Sequence, residues 1–417
     1  MNSLINSNSI LVNLLITSII PFLIWGPFFP DLIVSASALY FIYYVFKKND
    51  FNFFLNKPLI IFFIFCMYCI LVSIFVAQDI LLSFESSLFY FRIGVFSCFI
   101  WYLIEKDRNI LIYFYYVLIL CFLILIFDGY FQYLTGSNIL GLKIIGTRVT
   151  SFFGDEKIMG SFLSRLFPLL FALFVIKQKQ KFEIYIIGFL FILTDLLIYL
   201  SGERSAFFFL NLSTIFIIIL IKEFQKFRLF TFTVATIFIV IISLNSSNIS
   251  DRMIKRPAKN MGLIKTSTEI TIFTKAHDNL IRTAYNMFKH QPLFGHGPKM
   301  YRVLCDDKKY EAVARRSCQT HPHNFYIQLL AETGIIGFLF LFSSFCYVIY
   351  TALRQFKCII FKQNRPFSDY QVCLLAGILI TVWPFSPNGN FFNNWLMIIY
   401  SLPVGFYLQS IYSKKNK

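Results

Sequence analysis

Runs of about 20 apolar residues recur along the whole chain, separated by short charged turns. A backbone held in such runs must satisfy its own N–H and C=O groups, because lipid offers them no partner. Helices do this within one segment, so the pattern reads as an all-α membrane protein. Composition agrees: 57% of the 417 residues are hydrophobic and 14% are charged. A soluble domain has about a quarter of its residues charged.

Twelve spans are expected, at 10–29, 32–46, 59–77, 86–104, 110–134, 160–176, 183–200, 205–221, 229–245, 323–352, 370–386 and 391–410. The second is short and reads as one arm of a hairpin with the first, around Pro27 and Pro30. The first run is too long for the apolar part of a signal peptide and no small-residue cleavage site follows it, so it reads as a span.

Charge fixes the orientation. With the N-terminus inside, the inner turns hold Lys47, Lys48 and Lys57, then Lys106 and Arg108, then Lys177, Lys179 and Lys181. Further along they hold Lys222, Lys226 and Arg228, then Arg354, Lys357, Lys362 and Arg365, and finally Lys414, Lys415 and Lys417. The short outer turns near 26–31, 78–84 and 384–390 hold no Lys or Arg. Both termini then fall inside, in accord with the positive-inside rule. The chain divides into helices over 1–134, an outer segment 135–159, helices over 160–245, a large outer loop 246–322 and helices over 323–417.

The large loop is chemically distinct. All five histidines lie in it or at its edge: His277, His290, His296, His321 and His323. Fourteen Lys/Arg against six Asp/Glu give it a net charge of +8. Such a surface suits an anionic ligand such as a diphosphate, or simply anionic headgroups. Cys305 and Cys318 are the cysteines outside the spans and inner turns, and an oxidising compartment would join them. The other seven read as packing residues. The His and Cys spacings match no zinc ligand set. Much of the chain's +17 charge is accounted for by topology, so a nucleic-acid role is not indicated.

Four stretches can carry chemistry. THPHNFYIQLLAETGIIGFLF (320–340) sets His323 and Asn324 at the outer surface, with Gly334 and Gly337 allowing close helix packing. His323 reads either as a general base or as an interfacial anchor. LSGERSAFF (200–208) is so tight a turn that Arg204 must stand at the outer face, where it either snorkels to headgroups or grips phosphate. HDNLIRTAYNMFKHQPLFGHGPKMYR (277–302) starts as an amphipathic helix with Leu280, Ile281, Ala284, Met287 and Phe288 on its apolar face and Arg282 elsewhere. RVTSFFGDEKIMG (148–160) offers Arg148 and reads as lining an outer vestibule. Within the spans the charges noted are Arg92, Asp128 and Asp195, and Arg92 is the expected partner of Asp195.

In order along the chain, SGERSA, the helix R-x-A-x-x-x-F with HQPLFGHGP, and HPHN followed by G-I-I-G resemble the O-antigen ligase and polymerase superfamily of membrane glycosyltransferases. The resemblance covers about 195–345. It implies a fold like that of the GT-C glycosyltransferases in the bacterial inner membrane, with the site on the periplasmic face. It implies an undecaprenyl-diphosphate-linked glycan as donor, lipid A–core or another lipid-linked glycan as acceptor, inversion at the anomeric carbon, and no cofactor or metal. The family's two key arginines map onto Arg204 and Arg282 and its histidine onto His323; Arg148, His321, Arg92 and Arg302 rank second, while Arg315 and Arg316 are alternatives to Arg282.

Ligase and polymerase share these motifs, and the clean His-Asn-Gly pattern leans towards ligase. A transporter of lipid-linked sugars would show repeats and ionisable residues along a path; here no repeat is seen and the charges gather at one face. A cysteine introduced at Asn260 is expected to react with a membrane-impermeant maleimide in intact spheroplasts. No labelling there would overturn the orientation.

Overall fold

The computed structural model describes residues 2–177, 180–260, 274–313 and 318–413, without the side chains of 2–9 and 260. Among these residues the chain is helical, with two isolated bridges, Ser137–Lys143 and Ile145–Arg148, as the only extended pairing. The helices of the first half are α1 (Asn2–Thr17), α2 (Ile19–Trp25), α3 (Phe28–Lys48), α4 (Lys57–Phe75), α5 (Ile80–Leu88), α6 (Phe91–Lys106), α7 (Ile110–Thr135), α8 (Met159–Ile176) and α9 (Lys181–Leu200). Then come α10 (Arg204–Leu220), α11 (Gln225–Asn245), the short α12 (Ser247–Ser250) and α13 (Arg256–Asn260), α14 (Lys275–His290), the short α15 (Tyr301–Leu304), α16 (Phe325–Ile360), α17 (Asp369–Thr381) and α18 (Asn394–Tyr412).

Nine described segments are long and apolar enough to cross a bilayer: α3, α4, α5–α6 taken together, α7, α8, α9, α11, α16 and α18. Three shorter apolar helices, Ile10–Trp25, α10 and α17, stand at the other expected positions. The chain is a multi-pass membrane protein. Large apolar side chains such as Ile64 on α4, Phe127 on α7, Phe189 on α9 and Phe230 on α11 are exposed, as lipid-facing residues must be.

Two elements differ from expectation. The second span is a full helix of 21 residues rather than a short arm. Pro30 lies in its first turn, where the missing N–H would have had no intrahelical partner, so it starts the helix instead of breaking it. The tenth span runs on to Ile360 and contains a break at Gly334 (φ 64°, ψ −166°).

α8 is the central helix. Every residue from Phe162 to Phe174 is buried, with α7, α9, α10, α17 and α18 packed around it. α6 packs on α3 and α18, and α11 on α9. This neighbourhood corrects the expected charge pairing. Asp195 of α9 meets Arg228 at the start of α11, not Arg92: Nη1 donates to Oδ2 at 2.8 Å and Nη2 to Oδ1 at 3.1 Å. Arg228 also donates to Thr214 at 2.6 Å and lies over the Phe167 ring, so it is a fully buried group and not a loop charge. Arg92, on α6, pairs with Asp31 of the adjoining α3 at 2.6 Å. The tally of charges within spans was also short, for Arg165 and Glu332 sit on α8 and α16.

The break in α16 is closed by another part of the chain. A left-handed residue in mid-helix strands the carbonyls before it, which must find partners. The backbone N–H of His296 donates to Ala331 O at 3.0 Å and that of Gly297 to Glu332 O at 2.7 Å. The Tyr68 hydroxyl donates to Thr333 O at 2.7 Å, and Ile335 N–H donates back to Pro292 O at 2.8 Å. The turn after α14 is therefore threaded into α16. Gly295 and Gly334 make this possible. A Cβ on Gly295 would lie 2.5 Å from Thr333 N, and one on Gly334 would meet Leu293 O.

Two outcomes follow. Asp195→Ala leaves Arg228 buried without its counter-ion and is expected to cost about 3–5 kcal/mol, whereas Asp195→Leu with Arg228→Met costs far less. Thermal unfolding in detergent compares them, and equal losses would remove the ion-pair argument. Gly334→Ala is expected to lower stability by about 2 kcal/mol or more, from φ/ψ strain and collision with Leu293 together. A wild-type melting midpoint for that variant would show that α16 does not need its break.

Candidate functional site

The turn between α9 and α10 is built on Gly202 (φ 67°), whose N–H donates to Tyr199 O at 3.1 Å. A side chain here would collide with Arg252, whose Nε donates to Gly202 O at 2.8 Å. The next residue, Glu203, reaches across to the start of α8. Its carboxylate accepts from Gly160 N–H at 2.6 Å, Ser161 N–H at 3.0 Å and the Ser161 hydroxyl at 2.7 Å. A carboxylate at a helix N-terminus satisfies unpaired amides and complements the dipole. Burial still outweighs these contacts, and Glu203 is pushed up to about 7. Arg204 begins α10, half-buried.

The 135–159 segment is pinned from α7. Asp128 accepts from Ile139 N–H at 3.0 Å and from the Ser151 hydroxyl at 2.5 Å. Gln132 accepts from Thr150 and Ser151 N–H, both at 2.8 Å. The fold of this segment brings Arg148 beside Glu203 and the Gly202 turn.

The HPHN stretch serves two ends. Asn324 is the N-cap of α16, accepting from Tyr326 N–H at 3.0 Å and Ile327 N–H at 3.1 Å. His323, just before it, is left-handed (φ 57°), and its carbonyl accepts from Asn388 N–H at 2.8 Å. Its Nε2 lies 2.9 Å from Gln319 Oε1. The imidazole is also hydrogen-bonded to the Asn388 backbone. The rings of His321 and His277 stand 4.1 Å and 5.0 Å from it, centroid to centroid.

Burial, then His323 and Arg204, push His277 down to about 4. Burial, with His323 and Arg302 adding, pushes His321 down to about 3. His323 is lowered by burial as well. Desolvation thus favours the neutral form of all three imidazoles, with nearby arginines adding for His277 and His321.

One cavity of about 1510 Å³ joins these parts. Arg92, Arg148, Arg204, Arg302, His321 and His323, all expected site residues, line it. Arg92 is already engaged with Asp31. Arg282 is not brought to this wall: it is 69% exposed on α14 and paired with Asp278 at 2.7 Å, one helical turn back. Its face of α14 is opposite to Leu280, Ala284 and Met287, which are buried. Arg315 and Arg316 fall outside the described residues. Cys305 and Cys318 are joined as a disulfide with Cα atoms 4.9 Å apart, which ties α15 to the stretch leading to His321 and His323.

Several lining residues were not singled out from sequence: Arg165, Glu203, His277, Lys299 and Asn388. Arg165 had a usable signal, one guanidinium in an otherwise apolar run on α8. The guanidinium lies between the Phe209 ring at 4.7 Å and the Tyr400 ring at 4.9 Å, and donates to Asn388 Oδ1 at 3.0 Å. Glu203 and His277 belong to quoted motifs, but only the folded neighbourhood reveals their roles. Among the described residues no three His, Cys, Asp or Glu side chains form a metal-ligand group.

No curated protein sequence matches the chain. Residues 187–342 match the family model described as O-Antigen ligase. The matched stretch starts inside α9 and ends inside α16. It therefore takes in the Arg204 turn, α14, the threaded glycine turn and His323. Over these residues the chain is similar to the O-antigen ligase family.

Proposed function

We propose that the protein is an inverting glycosyltransferase that moves a glycan from undecaprenyl diphosphate to lipid A–core oligosaccharide. In this reading all twelve apolar segments cross the bacterial inner membrane, as in a GT-C-like fold. Both termini are cytoplasmic and the cavity opens to the periplasm. The observation that carries it is the meeting of Arg204 with a cluster of neutral histidines on one cavity wall, within the family-matched stretch.

The chemistry follows from the two kinds of group. The acceptor hydroxyl attacks the anomeric carbon from the face opposite the diphosphate. The new glycosidic C–O bond forms as the bond to the diphosphate oxygen breaks, and that oxygen takes the electron pair. His323 accepts the hydroxyl proton as the bond forms. Arg204 stabilises the charge growing on the leaving diphosphate, in a site where low dielectric strengthens the interaction. The resemblance gives Arg282 the same task. Its guanidinium lies outside the cavity, so Arg148, Lys299 and Arg302, which line it, are proposed to assist Arg204. A polymerase would use the same donor chemistry with a second lipid-linked glycan as acceptor.

The test is transfer by purified protein given undecaprenyl-diphosphate-linked glycan, with EDTA present, and either lipid A–core or more lipid-linked glycan. Arg204→Ala and His323→Ala are each expected to lose at least about 100-fold in rate. Because His323 is lowered below the ordinary imidazole value, its base form persists to below pH 6.5, and the rate is expected to fall only under more acid conditions. Product on lipid A–core supports the ligase, and longer lipid-linked chains would make the protein a polymerase. Full rates in both variants would sink the site assignment.

A further inference from the structure

Two arginines lie buried among the helices, and their surroundings differ in one respect. Arg228 is fully covered and carries its own counter-ion, held in two hydrogen bonds by Asp195 and supplemented by Thr214. Arg165 is 4% exposed, yet among the described residues its hydrogen bond is to a neutral amide, Asn388 Oδ1 at 3.0 Å. Its Nε and Nη1 have no hydrogen-bond partner. The nearest acid, Glu203, acts on it electrostatically, but the carboxylate is hydrogen-bonded to Gly160 and Ser161 at the start of α8.

A guanidinium removed from water at this cost, without a carboxylate bonded to it, calls for an anion from elsewhere. The geometry is set for one. The guanidinium stacks over the Phe209 and Tyr400 rings, and Asn388 holds one edge. The residue lines the same cavity as Arg204 and His323. It lies six residues into α8, about 9 Å along the axis from the helix start. The site it makes is thus more deeply placed along its helix than Arg204, which begins α10.

We infer that Arg165 binds a phosphate oxyanion of the lipid-linked donor at the buried end of the cavity. The inference rests on the reading of that cavity as a lipid-diphosphate site. The cation-rich outer wall around Arg204 then takes one part of the diphosphate and Arg165 the other. The competing account is mechanical: Arg165 holds Asn388, whose N–H donates to His323 O, and so only positions the histidine.

Equilibrium binding separates these accounts. Full-length protein in phosphatidylcholine nanodiscs is titrated with undecaprenyl diphosphate, undecaprenol and phosphatidylglycerol. Arg165→Met is expected to weaken undecaprenyl diphosphate by at least about tenfold, as for loss of a charged hydrogen bond, and to leave undecaprenol unchanged. Arg165→Lys keeps a charge without the planar fork and is expected to fall between the two, which carries the test should the Met variant not fold. Asn388→Ala cuts the Arg165 contact while keeping the backbone N–H bonded to His323 O, and is expected to slow transfer if Arg165 positions the histidine through Asn388, while changing diphosphate affinity by less than about threefold.

Wild-type affinity in both arginine variants overturns the inference. So does an equal loss in Asn388→Ala, which would make Arg165 a positioning residue. An equal arginine-dependent loss for phosphatidylglycerol would make the site a general headgroup contact and overturn it too. If the wild-type protein does not prefer undecaprenyl diphosphate to undecaprenol, the donor reading itself fails and this inference falls with it. The comparison of the two lipids in wild type is thus separate from the comparison of variants.

Discussion

A helix broken inside a membrane protein strands backbone groups that lipid cannot satisfy, and the region around the histidines is arranged about one such break. At Gly334 the carbonyls of Ala331, Glu332 and Thr333 lose their place in the α16 ladder. The turn at 292–297 supplies two backbone amides to them, and Tyr68 supplies a hydroxyl. That contact ties α14 and α4 to α16. It sets His277, at the N-terminal end of α14, against His323, just before α16. The threaded turn adds to the direct packing of α14 on α16 and to the Cys305–Cys318 disulfide in holding these two histidines together, although the segments bearing them are far apart in sequence. The glycines of two motifs, PLFGHGP and GIIG, are therefore halves of a single backbone joint.

A second joint holds the turn that carries Arg204. Glu203 caps α8 from another part of the chain and so fixes the Arg204 turn to the central helix. The cavity thus hangs between two anchored parts. One is α16 with its threaded turn, and the other is α8 with its borrowed cap. Asp128 and Gln132 extend the second part by gripping the 135–159 segment, which brings Arg148 to the same wall. Buried polar groups that look costly one at a time are here satisfied in sets, and each set fastens a loop that carries a cation or an imidazole.

What could be read from sequence follows from which physical signals are local. Apolar runs and turn charges are local, and a helix stands at each of the twelve expected places, although three of these are shorter than a full crossing. The amphipathic face of α14 is local too: Leu280, Ala284 and Met287 are buried as its spacing implies. Partnership is not local. Asp195 was matched to Arg92 because both lie within spans, whereas helix packing gives Asp195 to Arg228 and Arg92 to Asp31. Gly334 was legible as a close-packing residue but not as a break, since the break is stable only through amides about forty residues upstream. Arg282 sits in the family-like motif, yet its side chain turns to Asp278, a choice made by the face of α14 that packing leaves outward. Arg165 was overlooked although a lone cation in an apolar run is itself a signal.

The electrostatics of the cavity serve two chemical needs at once. A leaving diphosphate requires cations close by, and a general base requires an imidazole that stays neutral near pH 7. In water these needs are independent. In a partly buried site they are linked, because each added cation disfavours protonation of a neighbouring histidine. Arg204 acts in this way on His277, and Arg302 on His321. Glu203, the carboxylate that acts on Arg148, Arg165 and Arg252, is itself buried and hydrogen-bonded at the α8 terminus, with its pKa pushed up to about 7. Burial lowers all three histidines, and the cations that would stabilise the departing phosphate oxygens add to this for His277 and His321. Transfer of the hydroxyl proton would then raise the charge of the histidine cluster by one just as the leaving group becomes one charge more negative. The two changes offset each other within the same cavity, which is the balance that a low-dielectric site requires for charge to separate.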